Sequence, residues 1–427
     1  MERSSLLYQQ YISILKEELR PAMGCTEPIA LAYAGAKAAQ LLGRLPEQVQ
    51  VLVSGNIIKN VKSVVVPNTG GLRGIAAAVC AGIIAGDPDR ELEVISTVTA
   101  AQQTQLRSYL DTVSLSILPS PSSLVFDIDL TVRAGADSAR VRIVNHHTNI
   151  VYLSKNQEIL LELPIVETSE DHLTDKSCLS IEKIVEFADC VDISQVQEVI
   201  LRQIQYNMDI ARTGLEGSWG ANVGSVILRR QGSSLEKRAC AYAAAGSDAR
   251  MSGCEKPVII LSGSGNQGIT ASVPVVIVAQ EMGASQEELI RAVVVSDLVT
   301  IHQKTGIGRL SAYCGAISAG CGAGAGIAYL KGGRFDAVAH TVVNAIAILS
   351  GTICDGAKPS CAAKIAAAVD AGILGYDMYL ENQQFYGGDG IVTKGVDKTV
   401  FNVGRLAREG MKETDKTILE IMLSDGC

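Results

Sequence analysis

Apolar residues near the start of the chain recur at helical spacing. They are Leu6, Leu7, Ile12, Leu15 and Leu19, with polar residues between them. This pattern predicts a helix over residues 5–19, and Pro21 ends it because proline cannot continue a helix. The Thr26–Pro28 segment predicts the start of a second helix that runs to Gly43, since proline is tolerated in a first turn and glutamate suits the positive end of the helix.

Between about residues 46 and 165 the pattern changes to short runs rich in valine and isoleucine. Strands are predicted for VQVLVSG, SLVFDIDLTV, ARVRIVNHHTNIVYLS and EILLELPIV. Helices are predicted among them near 72–86 and 90–110. Residues 167–178 are polar and predict a linker, and from about residue 179 onward the apolar spacing is mostly helical. The tail after Lys394 predicts one or two amphipathic helices.

These elements predict an α+β fold, with a mixed α/β N-terminal domain packed on a mainly helical domain. We divide the chain into N-terminal helices over residues 1–45, an α+β domain over 46–166 and a mainly helical domain over 167–427. A length of 427 residues agrees with two or three packing units.

Composition narrows the functional classes. The net charge of −8 argues against nucleic acid as a partner, because a phosphate backbone would be repelled. The N-terminus has no apolar run of signal-peptide type. The uncharged stretch Leu310–Leu330 is rich in glycine, serine and alanine, so we interpret it as a buried core helix and expect no membrane association. Eleven cysteines without an export signal predict free thiols and a cytoplasmic location.

One cysteine stands at a predicted helix N-terminus, in the motif Gly24-Cys25-Thr26-Glu27-Pro28. Unpaired backbone N–H groups and the helix dipole stabilise a thiolate there, so we expect Cys25 to be more acidic than a free thiol. Such a cysteine acts as a nucleophile or a base. The alternative is an ordinary buried cysteine at a turn.

Three further cysteines, Cys314, Cys354 and Cys361, form a second set. The segment between the last two contains Gly356 and Pro359, which predict a loop that turns two thiolates towards one point. Three thiolates suit a [4Fe-4S] cluster with one iron left open, and zinc or three unrelated core cysteines are the alternatives. Cys321 lies on the same helix as Cys314 and is interpreted as packing.

The segment Ser262-Gly263-Ser264-Gly265-Asn266-Gln267-Gly268 follows the apolar run PVIIL and satisfies the dinucleotide pattern G-x-G-x-x-G. Helices rather than a second strand are predicted after it, which argues against a Rossmann unit. A Gly/Ser loop at a helix start still binds carboxylates well, because its N–H groups point outward.

Two polar clusters remain. His146-His147-Thr148-Asn149 is predicted near a strand end, where adjacent side chains point to opposite faces, so at most one histidine is expected in a site. The Ser247–Arg250 cluster is interpreted either as a helix cap with an ion pair or as part of a pocket.

Together these segments resemble the L-cysteine desulfidases, relatives of the iron–sulfur L-serine dehydratase α chain. The resemblance rests on Gly24–Pro28, HHTNIV, SDARMSG, SGSGNQGIT, RLSAYCGA and SGTICDGAKPSCA, which span nearly the whole chain. It implies a [4Fe-4S] cluster on Cys314, Cys354 and Cys361, with Cys25 as the catalytic base. It also implies substrate binding by His147, Thr148 and Asn149 and by the loop Ser262, Gly263, Ser264, Gly265 and Asn266. His146 stands where the family usually has glycine.

The implied reaction is β-elimination of L-cysteine to pyruvate, ammonia and hydrogen sulfide, with Cys25 removing the Cα proton. L-serine dehydratase is the alternative, because iron also binds a hydroxyl. A non-catalytic iron–sulfur or redox-sensing protein and a nicotinamide enzyme are further alternatives. A small amino acid is the expected partner, and a homodimer is the expected assembly. The C-terminal Cys427 is interpreted as an exposed terminus, with capping of the open iron as the alternative.

Overall fold

Two hydrophobic cores organise the chain. The computed structural model describes residues 1–165, 173–308 and 311–424. The first core is built on a six-stranded sheet, and the second consists almost entirely of helices. Within the described residues, no helix is long and apolar enough to cross a membrane.

The first core contains the mixed sheet with strand order β3-β2-β4-β5-β6-β7, in which β2 and β3 are parallel and the other pairs antiparallel. Its strands are β2 (Gln48–Val53), β3 (Ser114–Pro119), β4 (Asp127–Ala134), β5 (Asp137–Val144), β6 (Ile150–Lys155) and β7 (Glu158–Glu162). The helices of this region are α2 (Thr26–Leu42), α3 (Gly55–Val61), α4 (Gly74–Ala85) and α5 (Ala100–Thr112). Buried Val49, Val51 and Val53 alternate along β2 and face this core.

The second core is a set of packed helices around α12. Its helices are α6 (Ile181–Cys190), α7 (Gln197–Glu216), α8 (Val223–Gln231), α9 (Leu235–Met251), α10 (Gly265–Met282), α11 (Gln286–Ile307), α12 (Gly315–Leu330), α13 (Phe335–Leu349), α14 (Cys361–Leu380) and α15 (Val396–Arg405). A π turn at Leu406–Gly410 leads to α16 (Lys412–Ser424). The small residues of α12 allow close packing, because Gly324 lies against the backbone of Gly372 in α14.

Residues 1–45 are shared between the two cores. Helix α1 (Leu6–Glu18) packs in the helical core, whereas α2 packs against the sheet. Between them, β1 (Arg20–Met23) pairs antiparallel with β8 (Pro257–Ile260) of the helical region. The chain therefore crosses from one core to the other immediately before Cys25.

The α+β fold with a helical C-terminal region is confirmed. The start of α2 agrees with the predicted helix, and α12 ends at Leu330 as predicted but begins at Gly315. The helix predicted near 90–110 is wrong at its start, because Pro88–Glu93 forms a separate 3-10 turn and Thr99 caps α5 in a capping box with Gln102. The strand β3 was not predicted. Residues 167–172 of the predicted linker, Leu310 of the predicted core helix and the C-terminal Cys427 lie outside the described residues.

Candidate functional site

A cavity of about 110 Å³ lies where the sheet core meets the helical core. Its walls come from α2 and α3 on one side and from α9, α10, α11, α12 and the start of α14 on the other. The lining side chains are mostly polar or thiol-bearing. They include Cys25, Thr26, Glu27, Asn56, Lys59, Asn60, Arg250, Ser264, Asn266, Gln267, Lys304, Ser311, Tyr313, Cys314, Cys354 and Cys361.

Four helices begin at this cavity. Cys25, Ser264 and Cys314 are the N-cap residues of α2, α10 and α12, and Cys361 is the first residue of α14. In none of these four helices does the side chain of the N-cap residue accept a hydrogen bond from an N–H group of the first turn. Unpaired N–H groups and the positive ends of four helix dipoles therefore favour negative charge in the cavity.

The Cys25 thiol is 2% exposed and lies 3.9 Å from the Met251 sulfur. Gly24, with φ of +65°, turns the backbone into α2 close to Pro67, a position that only glycine tolerates. Burial raises the pKa of the Cys25 thiol to about 12, although the neighbouring Arg250 charge lowers it. The prediction that Cys25 is more acidic than a free thiol is therefore wrong, because the effect of burial on its pKa is larger than the effect of the helix N-terminus.

The first turn of α2 ties the Cys25 motif to the glycine-rich loop. The Thr26 hydroxyl donates to the Gly263 carbonyl oxygen at 3.2 Å, although the two residues lie far apart in the sequence. The Glu27 carboxylate accepts a hydrogen bond of 3.0 Å from the Asn60 amide on α3. These contacts fix the position of Cys25 relative to both cores.

Two of the predicted cluster cysteines are held on paired backbone segments. The Cys314 N–H donates to the Thr352 carbonyl at 3.0 Å, and the Cys354 N–H donates to the Ala312 carbonyl at 2.6 Å. Between them, Tyr313 and Ile353 form an antiparallel bridge. The two thiols therefore have a fixed separation along the wall of the cavity.

The third cysteine, Cys361, begins α14 after the predicted loop. Asp355 in that loop forms ion pairs with Lys358 and Lys364. Burial opposes ionisation of Asp355, but the two lysines outweigh it and lower the pKa to about 2. Gly356, with φ of +97°, packs on the Lys59 carbonyl of α3. The loop is thus anchored to the opposite wall of the cavity.

The three thiols influence one another. Burial, together with the nearby Cys354 and Cys361 charges, raises the pKa of Cys314 to about 12. Within the described ranges, no group of three or more histidine, cysteine, aspartate or glutamate side chains is close enough to hold a single metal ion. A four-iron cluster binds each thiolate through a different iron, so its ligands lie farther apart than those of one ion. Three cysteine thiols on the wall of one cavity are the kind of donor set that an iron–sulfur cluster uses.

The glycine-rich loop makes a tight turn between β8 and α10. Ser262 and Gly263 have φ of 47° and 79°, and Leu261 bridges back to Ser264. Gly263, Ser264 and Asn266 line the cavity, whereas Ser262 lines a neighbouring pocket and Gly265 packs on Arg250. Because β8 pairs antiparallel with β1 in a two-stranded sheet, the expectation that this loop is not a Rossmann unit is confirmed.

The Ser247–Arg250 cluster belongs to the last turns of α9. Asp248 is buried and accepts a hydrogen bond of 3.1 Å from the Gly224 N–H, and burial raises its pKa to about 6. Arg250 lines the cavity and donates to the Asn266 side-chain oxygen at 3.1 Å. Of the two interpretations, the structure supports the pocket and shows no ion pair between these residues.

The predicted substrate-binding residues His147, Thr148 and Asn149 lie in the turn between β5 and β6 rather than on a strand. They are not among the residues that line the cavity in this conformation. The His147 ring packs edge-on against Phe126, with centroids 4.9 Å apart. Phe126 precedes Asp127, whose carbonyl accepts from Ser54 just before α3. The turn is therefore connected through Phe126 and Asp127 to the segment before α3, and its role stays a prediction.

Sequence reasoning missed the wall formed by α3. Asn56, Lys59 and Asn60 line the cavity from this short helix. Lys59 and Asn60 follow Asn56 by three and four residues, so the three side chains share one face of the helix. The intervening Ile57 and Ile58 are buried in the sheet core. A polar stripe at helical spacing inside an apolar segment is the signal that would have found them.

Fold and site together define an α+β protein with a thiol-lined, anion-favouring cavity between a sheet core and a helical core. The family model described as serine dehydratase alpha chain matches residues 89–420. The chain belongs to this family, which confirms the predicted relationship. The family indicates an enzyme of the dehydratase or lyase type.

Relatives with full-length similarity come from several bacteria. A UPF0597 protein of Desulfitobacterium hafniense is 58% identical over 424 residues, which is 99% of each chain. A UPF0597 protein of Treponema denticola is 45% identical over 98% of each chain. A third, from Lachnoclostridium phytofermentans, is 47% identical over 98% of this chain and 100% of its own length. The similarity therefore covers both cores and the cavity between them.

Proposed function

We propose that this chain is an iron–sulfur-dependent L-cysteine desulfidase, which converts L-cysteine to pyruvate, ammonia and hydrogen sulfide. The observation that carries the proposal is that Cys25 lines the same cavity as Cys314, Cys354 and Cys361. β-Elimination needs a base at Cα and an electrophile at the β-substituent. Cys25 would be the base, and the other three cysteines would hold the cluster that supplies the electrophile.

Cys314, Cys354 and Cys361 would hold the [4Fe-4S] cluster. When bound, such a cluster supplies a Lewis-acidic iron with an open position, which stabilises a departing sulfur or oxygen. Burial raises the pKa of Cys314, and the Cys354 and Cys361 charges act in the same direction. This supports the assignment, because positive iron relieves the repulsion between neighbouring thiolates.

Cys25 is the proposed base. In its thiolate form it takes the proton from Cα as the bond to the β-sulfur breaks and HS⁻ leaves. The aminoacrylate product tautomerises, and water hydrolyses it to pyruvate and ammonia. Burial disfavours the thiolate, while Arg250 and the N-terminus of α2 favour it. Proton removal therefore depends on positive charge that stays close to Cys25.

Substrate binding is assigned to the Ser262–Asn266 loop and, as an outer contribution, to the His147–Asn149 turn. Gly263, Ser264 and Asn266 lie on the cavity wall, and the uncapped start of α10 offers N–H donors to a carboxylate. The turn supports the wall indirectly, through Phe126 and the segment before α3.

L-Serine dehydration is the second candidate function, and the match to the serine dehydratase alpha chain favours it. A thiolate is a softer and better ligand for iron than a hydroxyl, which favours cysteine. The same base and the same cluster would serve both reactions, so the two differ only in the leaving group, which is sulfide from cysteine and hydroxide from serine.

Anaerobic purification followed by pyruvate assays with L-cysteine and L-serine tests both functions. We expect a higher kcat/KM for L-cysteine, with equal amounts of pyruvate and sulfide. A higher kcat/KM for L-serine would reverse the assignment. Failure to form pyruvate from either amino acid, in protein that holds its iron, would exclude both.

We further propose a homodimer that acts in the cytoplasm. The free state of every cysteine in the described part of the chain agrees with a reducing compartment. Light scattering on the anaerobic protein tests the assembly, and a monomer mass of 45.0 kDa would contradict it.

A further inference from the structure

Arg250 is a buried cation in the cavity without an anionic partner. Its side chain is 4% exposed, and it lines the cavity together with Cys25. Arginine is almost never buried to this extent unless it is paired. The guanidinium donates to Asn266, but its Nε atom has no acceptor among the residues that the structure describes. No carboxylate in the described part of the chain lies at ion-pair distance from it.

Asp248 on the same helix and Glu27 on the cavity wall have other partners. Asp248, two residues earlier on α9, accepts from the Gly224 backbone. Glu27 accepts from the Asn60 amide on α3. Neither carboxylate neutralises Arg250, so the positive charge remains available to a ligand.

The Arg250 guanidinium lies against Gly265. A Cβ atom on Gly265 would clash with Arg250 Nε, so only glycine lets the guanidinium lie on the first turn of α10. This contact places a fork of N–H donors beside the uncapped N-terminus of α10 and near Cys25. A buried, unneutralised guanidinium is costly, and the chain offsets that cost when an anion binds.

We propose that Arg250 binds the α-carboxylate of the amino-acid substrate and so orients Cα towards Cys25. The inference rests on the proposed function, since it identifies the part of the substrate that the cavity recognises. A planar guanidinium matches a carboxylate in two parallel hydrogen bonds, which fixes orientation as well as affinity. The ligand class is therefore α-amino acids with a free carboxylate, and amides or decarboxylated amines are excluded.

Binding of non-reactive probes tests the proposal without turnover. L-Alanine and L-alaninamide lack a β-leaving group and differ only in the carboxylate. In calorimetry on the anaerobic holoenzyme, we expect L-alanine to bind at least about 100-fold more tightly than L-alaninamide. Arg250→Gln should remove this preference by weakening L-alanine about 100-fold while leaving L-alaninamide unchanged. Arg250→Lys should restore part of it, because lysine keeps the charge but not the fork.

Arg238→Gln is the matched control. Arg238 lies on the same helix but pairs with Glu281 near the surface, outside the cavity, so its replacement should leave both affinities unchanged. Iron content and thermal unfolding establish that each variant is folded. If Arg250→Gln does not fold, the wild-type preference and Arg250→Lys decide the question.

Equal binding of the two probes by the wild type, absence of L-alanine binding, or a preference retained in Arg250→Gln would overturn the proposal. These outcomes are separable from failure of the proposed function. If the protein forms no pyruvate but binds L-alanine preferentially through Arg250, the carboxylate site is supported and the proposed elimination is not. If the protein eliminates sulfide but Arg250→Gln retains the preference for L-alanine, the proposed reaction is supported and the assignment of Arg250 is not.

Discussion

The Cys25 Sγ atom lies 3.9 Å from the Met251 Sδ atom, at the contact between α2 and α9. Both side chains belong to a small buried cluster with Val64, and Cys361 packs against it. Helix α2 belongs to the sheet core and α9 to the helical core. The position of the Cys25 thiol therefore depends on how the two cores dock.

Replacing Cys25 by alanine should abolish turnover and leave the iron in place. Loss of a positioned base costs typically about 100- to 10,000-fold in rate, and Cys25 is not among the proposed iron ligands. Pyruvate formation and iron content measured on the same anaerobic sample check this. Cys80→Ala is the control, because Cys80 is equally buried but lies in the sheet core away from the cavity. Full activity in Cys25→Ala would remove this residue from the mechanism.

Replacing Cys354 by alanine should remove the cluster. The wild type should be brown, with about four irons per chain, and the variant should be colourless. Cys321→Ala is the control and should keep its colour and iron. Cys321 is a buried packing residue on α12, the helix whose N-cap is Cys314. Absorption spectra and iron analysis decide the outcome. Stoichiometric zinc in colourless wild-type protein would contradict the cluster.

Much of this fold could be predicted from local patterns. The start of α2 follows from Thr26 to Pro28, and the buried α12 follows from an uncharged run of small residues. The strand β1 could not be predicted, because its four residues include Pro21 and its partner is β8, far along the chain. Pairing over such a distance leaves no local signal.

Most residues of the site could be predicted from local motifs, but their chemical environment could not. The motifs around Cys25, Cys314 and Cys354 pointed to residues that do line one cavity. The pKa of Cys25 was predicted in the wrong direction, because burial comes from Met251 and other residues distant in sequence, whereas the helix N-terminus is local. The proposed role of Arg250 depends on the lack of an ion-pair partner among the residues that the structure describes, and no sequence pattern reveals this.

Asp297 should make the stability of the protein depend on pH. It is fully buried on α11 and accepts one hydrogen bond of 2.9 Å from Gln203. Burial outweighs this bond and raises the pKa to about 8 from a normal value of 3.8. Between these values the folded chain holds a proton that the unfolded chain has lost, so the free energy of unfolding falls as pH rises.

Asp297→Asn should remove that slope, because an amide stays neutral and still accepts from Gln203. At pH 8 the variant should be more stable than the wild type by roughly 1–4 kcal/mol, and at pH 4 the two should be nearly equal. Urea unfolding across this range measures the difference. Asp111→Asn, at an exposed position on α5, should leave the slope as it is. A slope that persists in Asp297→Asn would show that another group titrates.

The C-terminal helix should depend on one buried ion pair. Lys59 of α3 pairs with Asp415 of α16, and their side chains are 2% and 25% exposed. Asp415→Asn leaves the buried ammonium without a carboxylate, so we expect a loss of roughly 2–4 kcal/mol in the free energy of unfolding. Because this ion pair joins α16 to α3, α16 should become more sensitive to protease in this variant. Glu413→Gln breaks an exposed pair with Lys416 on the same helix and should cost less than about 1 kcal/mol. Equal destabilisation by the two changes would mean that burial of Lys59 does not set the strength of its pair.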